Sequence, residues 1–130
     1  MISSKQKKQL LFLLLAALWG ALIYYLSSTP DLSSGLPHSY DFVFRKIAHI
    51  FVFFILTYLV ASSLDSKERI YLLFVIIAGV SYALIDELHQ SFVSGRVGSP
   101  KDVVIDSLGV YLGIWFYKVH PPEKILKFIK

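Results

Sequence analysis

Four predominantly apolar runs, each 16 to 18 residues long, alternate with short polar connections: Leu10–Leu26, Ile47–Leu64, Ile70–Ile85 and Val103–Val119. As helices they would measure roughly 24–27 Å at 1.5 Å per residue. That falls a little short of a hydrocarbon core of about 30 Å, so flanking residues must help to span it. A soluble all-α bundle would carry polar stripes along such helices, and these runs lack them. The expected fold is therefore all-α, an integral membrane bundle of four transmembrane helices in one domain. The helices are expected at about 9–28, 45–64, 70–92 and 100–119.

Composition agrees. The chain is 55% hydrophobic and only 17% charged, less charge than soluble domains carry. The net charge of +4 does not imply nucleic acid, because the charges lie between the apolar runs rather than on one basic face. No cysteine is present, so disulfide and thiol chemistry are excluded. The first run is longer than a signal-peptide core and lacks an Ala-x-Ala cleavage site, so it reads as a retained helix.

Basic residues set the orientation. Lys5, Lys7, Lys8, Lys67, Arg69, Lys118, Lys124, Lys127 and Lys130 fall on the side of the N-terminus. Only Arg45, Lys46, Arg96 and Lys101 fall on the other. Both termini are expected to be cytoplasmic, in a multi-pass protein of the cell membrane. After Pro121-Pro122, residues 123–130 alternate basic and apolar side chains. This fits either a short amphipathic helix on the anionic inner leaflet or a frayed tail.

Punctuation is clear at three places. Pro30, Gly35 and Pro37 mark the first loop, Asp65 to Arg69 a tight charged turn, and Ser94 to Ser99 a third loop with Gly95 and Gly98. Ser99-Pro100-Lys101-Asp102 is a helix start, with Ser99 as N-cap and Pro100 at the first helical position.

The uncharged run Ile70–Ile85 ends directly in Asp86-Glu87-Leu88-His89-Gln90. An ionised carboxylate at mid-bilayer costs roughly 2.5–3.5 kcal/mol on insertion scales, so such residues need partners and are functional candidates. Three segments deliver ionisable groups to the same outer depth: Arg45, Lys46 and His49; then Asp86, Glu87, His89 and Gln90; then Asp102 and Asp106, with Arg96 from the loop between. Helical spacing puts Asp86, His89 and Gln90 on one face, with Glu87 turned about 100° toward a different partner such as Arg96. Gly109 and Gly113 form a small-residue face for close helix packing.

This cluster admits three readings. It is a structural ion-pair network, a ligand or substrate site, or a metal site from His49, His89 and a carboxylate. The last lacks a tight motif such as His-Glu-x-x-His, and neither metal nor cofactor is expected. His38 and His120 read as exposed polar residues. No serine or cysteine nucleophile motif is evident, so catalytic residues stay unassigned. His49 or His89 are the candidate general bases should the protein be an enzyme.

Arg45-Lys46-Ile47-Ala48-His49, then Asp86 through Arg96, Ser99 through Asp102, and Asp106 with Gly109 and Gly113 together resemble the VanZ-like proteins. That family usually carries Asn where Asp106 stands and Pro where Ser94 stands. The resemblance implies a small integral membrane protein, and a founding member linked to low-level teicoplanin resistance. The expected partners are membrane lipids and a lipid-linked cell-wall precursor or lipoglycopeptide, with no nucleic acid. An enzyme acting on a lipid-linked envelope substrate and a structural partner protein are the alternatives to a binding role.

Overall fold

The computed structural model describes residues 2–30 and 37–128. Every regular element among them is helical: α1 Ser4–Ser27, α2 His38–Leu64, α3 Arg69–Gln90, α4 Pro100–Val119 and α5 Pro122–Phe128. The loop expected around Gly35 and the last residues of the tail, Ile129 and Lys130, lie outside the described residues.

Local chemistry explains the ends. Ser3 caps α1 in a capping box with Gln6, which satisfies orphan amides and starts the helix before its apolar run. Pro37 sits at the N-cap of α2, so that helix begins at His38 rather than near 45. His38 is thus helical rather than part of a loop. Asp65 ends α2 in the left-handed conformation, φ 50°, which a short polar side chain tolerates. Ser99 accepts a hydrogen bond from the Lys101 amide with Pro100 in the first turn, and α4 starts there.

The helices alternate in direction. At one end Lys5 pairs with Asp65 and Lys8 with Glu123, while Gln9 donates to the Leu64 carbonyl. At the other end the α1 terminus meets the α3–α4 loop through Arg96. Helix α2 is central and packs most extensively on α4, then on α1 and α3. Phe53, Leu56, Ala83, Val110 and Ile23 form one core cluster. Ala61, Leu72, Val75, Ile114 and Tyr117 form a second, further from the polar end. Trp19 Nε1 donates to the Val52 carbonyl at 2.9 Å and the Tyr82 hydroxyl to the Gly20 carbonyl at 2.7 Å. These bonds fasten α1 to α2 and α3.

The glycine face of α4 lies against the α2 backbone. A Cβ at Gly109 would stand 2.4 Å from the Ile50 carbonyl oxygen, and one at Gly113 2.7 Å from that of Phe54. No side chain fits at either position.

Buried polar side chains share the interior with this apolar core, while the exterior is apolar. Asp86, Glu87, Gln90, Asp106 and Thr57 are buried, while Leu10, Phe51, Phe74, Ile77, Leu84 and Tyr111 are exposed. An apolar exterior on this scale suits lipid and not water. Among the described residues three helices are long and apolar enough to cross a membrane: Ser4–Ser27, Tyr40–Leu64 and Arg69–Gln90. They mark a membrane protein. The sequence led us to expect four such helices. Helix α4 does not qualify, because Lys101, Asp102, Asp106 and Lys118 are spread along it.

Candidate functional site

The polar residues of α2, α3, α4 and the α3–α4 loop gather at the end of the bundle where α3 finishes. Asp106, completely buried, meets His49 across the α2–α4 contact, with Nδ1 and Oδ1 2.9 Å apart. One turn nearer the helix starts, Lys46 pairs with Asp102 and stands over the Phe42 ring, 5.0 Å from its centroid. Arg45 reaches back along its own helix to Asp41, 2.9 Å away. The Asp41-x-x-x-Arg45 spacing signals that pair in the sequence, and Asp41 is a member of the polar layer that the sequence reading passed over.

On α3 the four polar residues separate. Gln90 donates to Asp86 at 2.8 Å, and both are buried. His89 does not share their surroundings, as its spacing suggested. Its Nε2 lies 2.9 Å from the Ser28 hydroxyl, and its ring packs 4.7 Å from that of Tyr24 on α1. Glu87 does not pair with Arg96 either. It accepts the Ser99 amide at 2.8 Å, which ties the α4 N-terminus to α3. It also joins His49 and Asp106, so that one ligating atom from each of the three lies within 4.8 Å of the others. The register of α4 against α3 decides this, since Asp86 and Glu87 point about 100° apart.

Arg96 locks the loop. Its guanidinium donates to Gln90 Oε1 at 3.1 Å, to the Leu26 carbonyl at 2.9 Å and to the Thr29 carbonyl at 3.0 Å. Gly95 makes the turn possible, with φ 79°, a region glycine enters freely. Burial lowers the Arg96 pKa from its ordinary value while Asp86 acts the other way, and the group stays a cation. Lys101 starts α4 through its amide and is exposed.

Between α1, α2 and α3 a cavity of about 160 Å³ is lined by Arg45, His49, Gln90 and Arg96 with Ser27, Ile23, Leu26 and Val52. Two cationic groups, an imidazole and an amide thus face one small space with an apolar flank. Such a space can accept an anionic or hydroxyl-bearing group whose remainder is apolar. Ser27 and Ser28, which complete this end of α1, follow the last apolar residue of the first run. A serine pair there was the available signal.

A family model described as VanZ/LLP1 matches residues 4–121. The chain belongs to the VanZ/LLP1 family. The match spans all four long helices, so the polar end of the bundle lies within the family domain. No match emerges among curated proteins or among solved structures.

Proposed function

We propose that this VanZ/LLP1-family protein crosses the cell membrane four times with both termini cytoplasmic, and binds the polar end of a lipid-linked envelope molecule at the outer leaflet. The observation that carries the reading is the 160 Å³ cavity with Arg45, His49, Gln90 and Arg96 in its wall. Guanidinium groups recognise phosphate and carboxylate, and the apolar flank of Ile23, Leu26 and Val52 suits an acyl or prenyl chain. Helix α4 serves as the fourth span because its acidic side chains are matched inward: Asp102 by Lys46 and Asp106 by His49.

A lipid-tailed glycopeptide offers the same combination of tail and polar group. Overexpression in a Gram-positive host is expected to lower susceptibility to teicoplanin more than to vancomycin, which lacks the tail. Asp86→Asn and Arg96→Ala should abolish the difference when strains are compared at matched protein abundance. Equal susceptibility with and without the protein would overturn the resistance role, and protection retained in both variants would overturn the site.

The His49–Asp106 pair favours a second reading. An imidazole held by a buried carboxylate beside a cavity is the arrangement of a general base. Hydrolytic turnover of a lipid-linked substrate by purified protein, lost in His49→Gln, would select this reading over simple binding.

A further inference from the structure

Charge matching in the polar layer leaves one group of residues over. Asp41 has Arg45, Asp102 has Lys46, and Asp86 is linked through Gln90 to Arg96. Glu87 and Asp106 are both buried. Among the described residues neither forms an ion pair with a lysine or arginine, and Asp106 has only His49. Their second oxygens, Glu87 Oε1 and Asp106 Oδ2, are buried without a protein hydrogen-bond partner among the described residues. An unpaired carboxylate oxygen away from water is costly. Two such oxygens on residues that converge with one imidazole make up an unbalanced negative site.

We propose that His49, Glu87 and Asp106 bind one divalent transition-metal ion of the zinc class. One nitrogen and two carboxylate oxygens are ligands that such ions accept, with water in a remaining position. The three ligating atoms lie within 4.8 Å of one another. Around a tetrahedral zinc they would be about 3.4 Å apart, a small closure for side-chain rotation to supply. The ion neutralises both carboxylates and gives their free oxygens a partner. It also pins α2, α3 and α4 together at the end where the loop must be held. Access exists from two sides. His49 lines the 160 Å³ cavity, and Glu87 lines a second cavity of about 350 Å³ with Gly98, Ser99 and Pro100. The ligand set differs from the His49, His89 and carboxylate set weighed from the sequence, because His89 is held on α1.

The test uses the full chain, purified in detergent with any affinity tag removed, stripped with chelator and reloaded with zinc or cobalt(II). Elemental analysis is expected to give one zinc per chain, and cobalt(II) to give visible absorption bands with histidine and carboxylate ligation. His49→Gln and the near-isosteric Asp106→Asn and Glu87→Gln should each weaken binding by more than about tenfold and remove the cobalt bands. His89→Gln should bind as wild type. Circular dichroism and gel filtration identify variants that fold, and one folded ligand variant suffices for the comparison. Folded wild-type protein without stoichiometric metal would overturn the proposal. So would full binding in a folded ligand variant, or loss of binding in His89→Gln. Metal content is read with no envelope molecule present, so this result and the binding role stand or fall separately.

Discussion

Arg96 shows how one side chain can hold a loop that a membrane protein must not leave loose. Its donors reach two backbone carbonyls beyond or at the end of α1 and one side chain on α3. Arg96→Lys keeps the charge but cannot make this planar set of bonds. It is expected to lower stability by about 1.5–3 kcal/mol, read as a lower midpoint of thermal unfolding in detergent. Unchanged unfolding would show that the loop is held by other contacts. That Arg96 belongs to the polar layer was legible from its place after Gly95, next to a charged helix end. Its partners were not, because main-chain carbonyls at Leu26 and Thr29 carry no sequence signal. The Asp86–Glu87 pair illustrates a second limit. Helical periodicity tells that the two diverge, yet which one meets His49 depends on how α3 and α4 rotate against α2. Packing sets that rotation, through contacts such as Gly79 against Val110.

Among the elements, α4 was the most readable, since Ser99 and Pro100 fix its start chemically. The start of α2 was obscured because its first turns, Tyr40 to Lys46, mix aromatic and charged residues and so precede the apolar run. Gly109 and Gly113 were expected to allow close approach, and they lie under the carbonyls of Ile50 and Phe54. Gly109→Ala is therefore expected to force α4 away from α2 and cost about 1–3 kcal/mol, measured by thermal unfolding, with Gly109→Leu worse. Wild-type stability in both would mean that α4 can slide at no cost. The short α5 is tied back to α1 by Lys8 and Glu123, 2.5 Å apart. Hydrogen bonding from Lys8 holds the Glu123 carboxyl below its usual value of 4.5. A depressed folded pKa stabilises docking above the unfolded value and loses that contribution as pH falls through the folded one. Docking of α5, followed by a fluorophore pair on residues 2 and 124, is expected to hold at neutral pH and to loosen below about pH 4.5. Glu123→Gln should abolish this pH dependence, and an identical titration in that variant would assign it elsewhere.

For the whole molecule the decisive property is an apolar exterior around an interior that holds carboxylates beside its apolar core. Overall hydrophobicity revealed the apolar exterior in the sequence, whereas the number of crossings does not follow from it, because the aspartates of α4 find their partners only after folding. An α4 isolated from Lys46 and His49 would carry two unmatched aspartates into lipid, at a cost of roughly 2.5–3.5 kcal/mol each. Packed on α2, it presents them to a lysine and an imidazole instead. The proposed crossing by α4 and the basic-residue bias together predict one topology, which single cysteines can test because the chain contains none. In intact cells a membrane-impermeant maleimide is expected to label Val97→Cys, in the exposed α3–α4 loop. Ser66→Cys and His120→Cys should label only after permeabilisation. Labelling of Ser66→Cys and not Val97→Cys in intact cells would reverse the orientation and move the polar site to the cytoplasmic face. Labelling of His120→Cys together with Val97→Cys would mean that α4 returns to the outer surface without crossing. The protein would then be a three-span bundle with Asp102 and Asp106 in an outer, membrane-apposed helix.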